Sequence, residues 1–141
     1  MEPRSLPRPI DTVTNLTAAL NRGDLEAALA LYETNAVLVA QPGVVARGPA
    51  ELRAALQQFI DLKPRLTAHA QHVIEMGDLA LYVGRWTLQG SDPAGREVSM
   101  GGESADILRR QVDGRWLIAI DNPWGAQVLT GETPGSGGAS T

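Results

Sequence analysis

A tight hairpin near the end of the chain restricts its possible folds more than any other feature. Two mostly apolar runs, 104–112 and 115–121, flank the dipeptide Asp113-Gly114. Both residues of that dipeptide tolerate positive φ, as a two-residue hairpin turn requires. The sequence therefore predicts two antiparallel strands here, which complete a sheet.

The strands before this hairpin follow a regular alternation. Between residues 65 and 76 every second residue is apolar, with one histidine among them, which is typical of a strand. The residues expected on one face of this strand are Leu66, Ala68, Ala70, His72, Ile74 and Met76. A second strand is predicted over 79–88 and a third over 97–112, where Gly101-Gly102 indicates a bulge or sharp bend.

Three helices are predicted before these strands. Asp11 or Thr12 can cap the first, and Asp24 can cap the second. The apolar stripe predicted for the second helix consists of Leu25, Ala28, Leu29 and Tyr32. Pro49 suits the first turn of the third helix, and Pro64 ends that helix because it disfavours helical geometry in the residue before it.

The order of elements defines the fold class. A short strand, 36–40, separates the second helix from the third, and the remaining strands follow without further helices, so the class is α+β rather than alternating α/β. We expect one domain over 10–128, with a disordered N-terminal segment over 1–9 and a disordered Gly/Ser-rich tail over 129–141, because both ends are poor in apolar residues.

Composition excludes several classes of function. The chain has 141 residues, a net charge of −4 and no cysteine, which excludes disulfides and cysteine nucleophiles. Its arginines are scattered, whereas nucleic-acid binding needs a concentrated basic face. No run approaches the ~20 apolar residues of a membrane span. We therefore expect a cytoplasmic protein that binds neither nucleic acid nor membranes.

Three segments of the chain resemble the nuclear transport factor 2-like superfamily, and within it the SnoaL-like and ketosteroid-isomerase-like groups: LTAALNRGDLEAALALYETNAVLV, GPAELRAAL and DILRRQVDGRWLIAIDNPWG. The likeness covers roughly Thr12 to Gly125. It implies a cone-shaped, cystatin-like fold, in which a curved antiparallel sheet holds three N-terminal helices on its concave face around an apolar pocket. It also implies a homodimer formed through the outer face of the sheet.

The comparison with ketosteroid isomerase extends to one functional residue. Asp106 matches the aspartic acid that stays protonated in an apolar site and donates a hydrogen bond to the oxyanion. Leu16 stands where that enzyme has its tyrosine donor, and Ala40 stands where it has its general base. Since the mechanism needs both groups, steroid isomerisation is not the predicted reaction.

The relation between Asp106 and Asp121 depends on the hairpin loop. A two-residue loop places the two carboxylates opposite each other, and burial of such a pair raises one pKa, as acid and base roles require. A three-residue loop with a glycine bulge instead pairs Asp106 with Ile120 and separates the carboxylates. Both arrangements stay open, and so does a strand-end role for Asp121. Asp106, Asp121 and His72 are the candidate catalytic residues, although His72 can equally be a core histidine.

The remaining candidates would bind ligand rather than react. They are aromatic or lie beside the last strand: Tyr82, Trp86, Asn122 and Trp124. His69 and His72 are three apart on a strand and should face opposite ways, so we expect no metal site, and no cofactor.

Two functions fit these observations. The first is a SnoaL-like, cofactor-free enzyme that moves a proton on a hydrophobic carbonyl compound, as an isomerase, cyclase or lyase does. The second is a non-catalytic ligand-binding or dimerisation module with the same pocket.

Overall fold

A computed structural model of the protein describes residues 6–131. The elements, in chain order, are α1 (Pro9–Asn21), α2 (Leu25–Leu29), β1 (Tyr32–Gln41), β2 (Val44–Arg47), α3 (Gly48–Asp61), β3 (Arg65–Met76), β4 (Leu79–Ser91), β5 (Glu97–Arg110), β6 (Trp116–Asp121), a 3₁₀ turn (Gly125–Gln127) and α4 (Val128–Gly131). Most of the two segments expected to be disordered, residues 1–5 and 132–141, lies outside the described residues.

The helices differ in number from the prediction. The described range contains four α-helices instead of three, because α4 follows the sheet. A strand before α3 was predicted, and the structure adds a second one there, β2. Within that range, no helix has the length and apolar character needed to cross a membrane.

One curved sheet of six strands forms the body of the fold, in the order β2-β1-β6-β5-β4-β3. Neighbouring strands are antiparallel except for β1 and β6, which run parallel. The expectation of a wholly antiparallel sheet was therefore wrong. The hairpin with β5 sets the direction of β6, and β1 happens to run the same way beside it.

The core lies between α1, α3 and the inner face of the sheet. The largest fully buried side chains come from three strands and one helix: Leu38, Leu56, Leu108 and Ile118. Burying an aliphatic side chain of this size contributes about 1.5–3 kcal/mol each. This packing holds the helices against the inner face and fixes the walls of any cavity there.

Helix α1 begins earlier than predicted. Pro9 is its first residue, and the side chain of Asp11 accepts a hydrogen bond from the Arg8 N–H at 3.0 Å, which satisfies a free N–H before the first turn. Thr12 is buried and is not a cap: its hydroxyl donates to the Trp116 carbonyl at 2.6 Å. This hydrogen bond ties α1 to β6.

The starts of the other two predicted helices and the end of α3 follow the predictions, but α2 ends earlier than predicted, at Leu29. Asp24 caps α2 by accepting from the Ala27 N–H at 3.0 Å, and Pro49 lies in the first turn of α3. Helix α3 ends at Asp61, and Lys63, directly before Pro64, has a φ of 51°. Proline therefore ends the helix by forcing its neighbour out of helical geometry.

A β-bulge divides β3 into two halves. Ala68 pairs with Trp86 and Gln71 pairs with Gly84, so two residues, 69 and 70, oppose the single Arg85. The bulge reverses the alternation, and Gln71 now shares the inner face with Ala68.

The predicted common face of β3 was therefore wrong beyond the bulge. His72, Ile74 and Met76 lie on the outer face of the sheet and are exposed. By contrast, β5 has no bulge at Gly101-Gly102, because its pairing with β4 continues through both glycines without a shift.

Candidate functional site

A cavity of about 100 Å³ lies between the helices and the inner face of the sheet. Its apolar wall consists of Val13, Leu16, Leu20, Leu38, Leu56, Phe59, Pro64, Leu66, Ala68, Trp86, Leu88 and Pro123. Its polar wall consists of Thr17, Tyr32, Tyr82, Ser104, Asp106 and Asp121. Among residues 6–131, no Lys, Arg or His side chain lines this cavity, so the ionisable carboxyl groups there can give it only negative charge.

The hairpin places both carboxyl groups at this cavity. Its pairing register combines the two alternatives predicted from the sequence. Beside the loop, Arg110 pairs with Trp116, which is the register of a three-residue loop. A bulge at Ala119 then shifts the pairing by one residue. As a result, Asp106 and Asp121 return to the same face, and both are buried, with 6% and 8% of their surface exposed.

The two carboxyl groups lie beside each other and beside a tyrosine. Asp121 Oδ2 accepts a hydrogen bond from the Tyr32 hydroxyl at 2.5 Å. Asp106 and Asp121 are close enough for each to change the pKa of the other. Asp106 Oδ1 accepts from the backbone N–H of Asn122 at 2.7 Å. Within residues 6–131, no buried side-chain nitrogen or oxygen lacks a partner.

Burial gives the two aspartates different proton affinities. Burial raises the pKa of Asp106 well above its usual value, and the nearby charge of Asp121 raises it further. Burial also raises the pKa of Asp121, but the hydrogen bonds from Tyr32 and Asp106 oppose that rise. As the pH rises, Asp121 therefore loses its proton before Asp106 does.

Tyr32 belongs to the site although sequence reasoning placed it on the apolar stripe of α2. That helix ends at Leu29, and Tyr32 is the first residue of β1, fully buried beside Ile118. Burial and the charge of Asp121 raise the pKa of Tyr32 well above its usual value, so it remains a donor. The signal that could have found it is a tyrosine among apolar residues, since a buried phenol needs a polar partner.

Tyr82 lines the polar wall next to Asp106, its cross-strand neighbour on β5. Its ring extends along β4 over Gly84, where an added Cβ would lie within 3.0 Å of three atoms of the tyrosine. Its hydroxyl oxygen accepts a hydrogen bond from Gln71 Nε2 at 2.9 Å. Glycine is therefore required at position 84 for the tyrosine to take this orientation.

Of the other three residues predicted to bind ligand, one lines the cavity and two do not. Trp86 lines the cavity and packs edge-on against Trp124, with ring centroids 5.4 Å apart. Trp124 does not line the cavity; its indole N–H donates to the Ala40 carbonyl at 3.1 Å. The side chain of Asn122 accepts from the Trp124 N–H at 3.3 Å and does not line the cavity either. Asn122 reaches the site only through its backbone N–H.

The histidines lie away from the cavity. His72 is exposed on the outer face, so the structure does not place it beside the two aspartates. His69 is also exposed, and its Nε2 is 2.9 Å from the Thr87 hydroxyl. The bulge puts both histidines on the outer face, so the argument that they must face opposite ways was wrong. Among the described residues, no three His, Asp or Glu side chains are grouped to hold a metal.

The curved six-stranded sheet with helices on its inner face has the nuclear transport factor 2-like fold, and solved structures share it. A nuclear transport factor 2-like superfamily protein from Salmonella enterica serovar Typhimurium has a TM-score of 0.72 at 12% identity, covering 79% of this chain and 84% of its own. A candidate ketosteroid isomerase from Shewanella frigidimarina has a TM-score of 0.67 at 21% identity, covering 80% and 91%. A candidate calcium/calmodulin-dependent protein kinase II association domain from Xanthomonas campestris has a TM-score of 0.69 at 21% identity, covering 86% and 92%.

A match to a family model identifies the family within this superfamily. Residues 13–118 match the SnoaL-like domain, and the chain belongs to that family. None of the curated protein sequences matches the chain. Domains of this superfamily commonly bind small molecules, act as isomerase-type enzymes or form dimers.

Proposed function

We propose that the protein is a cofactor-free enzyme that transfers a proton within a small, apolar carbonyl compound. The observation that carries this proposal is the pair of aspartates buried at the polar wall of the cavity, where burial and the neighbouring charge raise the pKa of Asp106 well above its usual value and the hydrogen bond from Tyr32 opposes the rise of the pKa of Asp121. Two titratable groups whose surroundings push their pKa values apart are the usual arrangement of an acid and a base. Asp121 is the base, and Asp106 supports it.

The proposed step uses the pair as it stands. Ionised Asp121 takes a proton from the carbon next to the ligand carbonyl, and the electrons of the broken C–H bond move into an enolate. The pair is then neutral, a state that burial favours. The new carboxylic acid of Asp121 returns the proton to the same carbon or to a conjugated carbon, which gives exchange or isomerisation.

The cavity limits the size and charge of the ligand. Its volume of about 100 Å³ is smaller than the ~150 Å³ of an apolar cavity that holds benzene. The part of the ligand that the cavity encloses is therefore no larger than one six-membered ring, well below a steroid. Because ionised Asp121 is the charge that faces it, an anionic ligand is disfavoured.

Hydrogen exchange on cyclohexanone tests the reaction. Proton NMR in D₂O follows the loss of the hydrogens next to the carbonyl, with and without protein. We expect Asp121→Asn to lower the protein-dependent rate by about a hundredfold or more, as loss of a general base does. Asp106→Asn should lower it less, because the amide can still donate to Asp121.

His72→Asn is the matched control, since it removes the other predicted base from the outer face. It should leave the exchange rate unchanged. An Asp121→Asn protein that still exchanges at the wild-type rate would refute the role of Asp121, and loss of exchange in His72→Asn would move the chemistry elsewhere.

A second candidate function is ligand binding without turnover. One observation favours it: Asp121 already accepts a hydrogen bond from Tyr32, and Asp106 already accepts one from the Asn122 N–H. On this alternative, cyclohexanone binds to the protein, but its hydrogens exchange no faster than in buffer. The same NMR experiment therefore separates the two functions.

We also propose that a second copy of the chain covers the outer face of the sheet. The support is a row of apolar residues that crosses four strands there: Ile74, Leu81, Ile107 and Ile120. Ile74 and Ile120 are 53% and 43% exposed. A contiguous apolar surface of this kind favours association. Since related domains commonly form dimers, the occupant we infer is the same chain.

Sedimentation of Ile74→Lys tests the dimer. The charge should shift the protein toward the monomer, because an unpaired ammonium would be buried in the contact. Val112→Lys is the matched control, since Val112 is fully exposed at the hairpin tip and away from this row. A wild-type protein that sediments as a monomer at high concentration contradicts the proposal.

A further inference from the structure

Four residues of the polar wall carry a hydroxyl group: Thr17, Tyr32, Tyr82 and Ser104. The hydroxyl groups of the two tyrosines and of Ser104 differ in their hydrogen-bond partners. The Tyr32 hydroxyl donates to Asp121, and the Ser104 hydroxyl donates to the Gly84 carbonyl at 3.3 Å. The Tyr82 oxygen instead accepts, from the amide of Gln71 at 2.9 Å. Within residues 6–131, the Tyr82 hydroxyl donates to no protein group.

The surroundings of Tyr82 hold its oxygen in place while leaving its proton unused. The tyrosine is only 4% exposed, and its ring lies over Gly84, which has no side chain to displace it. Gln71 reaches it because the bulge in β3 turns that residue toward the inner face. An amide N–H that donates to a phenol oxygen leaves the phenol O–H free to donate elsewhere.

We infer that Tyr82 is the hydrogen-bond donor for the ligand, that Gln71 positions it, and that the ligand therefore carries an acceptor such as a ketone or aldehyde oxygen. This inference rests on the proposed function and adds the group that holds the carbonyl. Asp106 is less suited to that task, because the charge of Asp121 lies beside it and its Oδ1 accepts from Asn122.

The donor also fits the proposed proton transfer. When a proton leaves the neighbouring carbon, negative charge moves onto the carbonyl oxygen, and a hydrogen bond to that oxygen becomes stronger. Tyr82 is the cross-strand neighbour of Asp106. The donor and the base pair therefore lie side by side on the polar wall. Burial raises the pKa of Tyr82, which keeps its proton in place at neutral pH.

The test uses cyclohexanone labelled with ¹³C at the carbonyl, and methylenecyclohexane as a ligand of the same shape without an acceptor. A hydrogen bond moves the carbonyl ¹³C resonance of the bound ketone downfield. We expect wild-type protein to show this shift and to bind the ketone about three- to tenfold tighter than Tyr82→Phe does, as the loss of one neutral hydrogen bond implies. Methylenecyclohexane should bind both proteins equally.

Two variants of Gln71 test the direction of the hydrogen bond. In Gln71→Glu the carboxylate accepts the Tyr82 proton, so the downfield shift should disappear although the tyrosine remains. In Gln71→Leu the tyrosine keeps a free proton, and the shift should persist. A merely structural role for Tyr82 would not produce this difference between the two variants.

The outcomes separate this inference from the proposed function. An unchanged carbonyl resonance in Tyr82→Phe, or a shift retained in Gln71→Glu, overturns the role of Tyr82 even if hydrogen exchange still depends on Asp121. A shift that depends on Tyr82 without any exchange supports the donor and overturns the reaction. Failure of cyclohexanone to bind overturns both.

Discussion

Replacing Asp106 with asparagine should make the protein more stable at neutral pH. Asparagine has nearly the shape of a protonated aspartic acid, can accept from the Asn122 N–H and can donate to Asp121. It lacks the proton that burial makes Asp106 retain. The comparison of the two proteins across pH therefore isolates the cost of ionising a buried carboxyl group.

The size of the difference in the free energy of unfolding follows from the one proton that Asp106 keeps in the folded state. Below the carboxyl pKa of an unfolded chain, about 3.9, Asp106 is protonated in both states and the variant resembles the wild type. Above it, the unfolded chain loses this proton while the folded protein keeps it, so the wild-type free energy of unfolding falls by up to about 1.4 kcal/mol per pH unit. The fall ends once pH exceeds the raised pKa of folded Asp106.

Urea unfolding of both proteins at several pH values from 3 to 9 measures this difference, and the slopes with urea verify that the unfolding stays two-state. Glu103→Gln is the matched control, because Glu103 lies on the same strand but is exposed in an ion pair with Arg85. It should keep the wild-type fall. Parallel curves for Asp106→Asn and wild type would refute a buried, protonated Asp106.

Three further substitutions have expected effects on stability. Tyr32→Phe removes a donor to the buried Asp121 and should cost about 1–3 kcal/mol by urea unfolding, with a larger loss at pH 8 than at pH 4 because the ionised carboxylate needs the donor more. Gly84→Ala should cost about 1–3 kcal/mol because the new methyl group overlaps Tyr82, and adding Tyr82→Leu should recover part of that loss; no recovery would contradict the overlap. Leu56→Ala should cost about 2–5 kcal/mol and enlarge the cavity, so that benzene raises the Tm of the variant more than that of the wild type.

Local features of the fold were readable from the sequence because their causes are local. Asp24 caps its helix through a neighbour three residues away, and Pro64 acts on the residue beside it. The bounds of β3 were predicted as Arg65 to Met76 and are observed there. The sheet face that each residue of β3 occupies was not predicted correctly, because the alternation of apolar residues does not show where the bulge inserts an extra residue. The bulge lets Leu66 and Val73 both face the core, which only the assembled sheet can decide.

The candidate site also depends on a β-bulge that the sequence does not mark. One bulge at Ala119 returns Asp121 to the face of Asp106 after a three-residue loop had separated them, and the two sequence alternatives each contained half of this geometry. Tyr32 was missed because its partner, Asp121, is 89 residues away and no short motif links them. Leu16, which the resemblance aligned with the tyrosine donor of ketosteroid isomerase, lines the cavity.

The hydrogen bonds that assemble the polar wall join distant parts of the chain. Thr12 and Trp116 are 104 residues apart, and Tyr32 and Asp121 are 89 apart. Such contacts need long loops to close first, which makes them slow to form during folding. During synthesis, the apolar wall from α1 and α3 is made long before the two carboxyl groups leave the ribosome. If the protein binds a ketone as proposed, that binding should therefore appear only with the last phase of refolding, and the ligand would report complete folding.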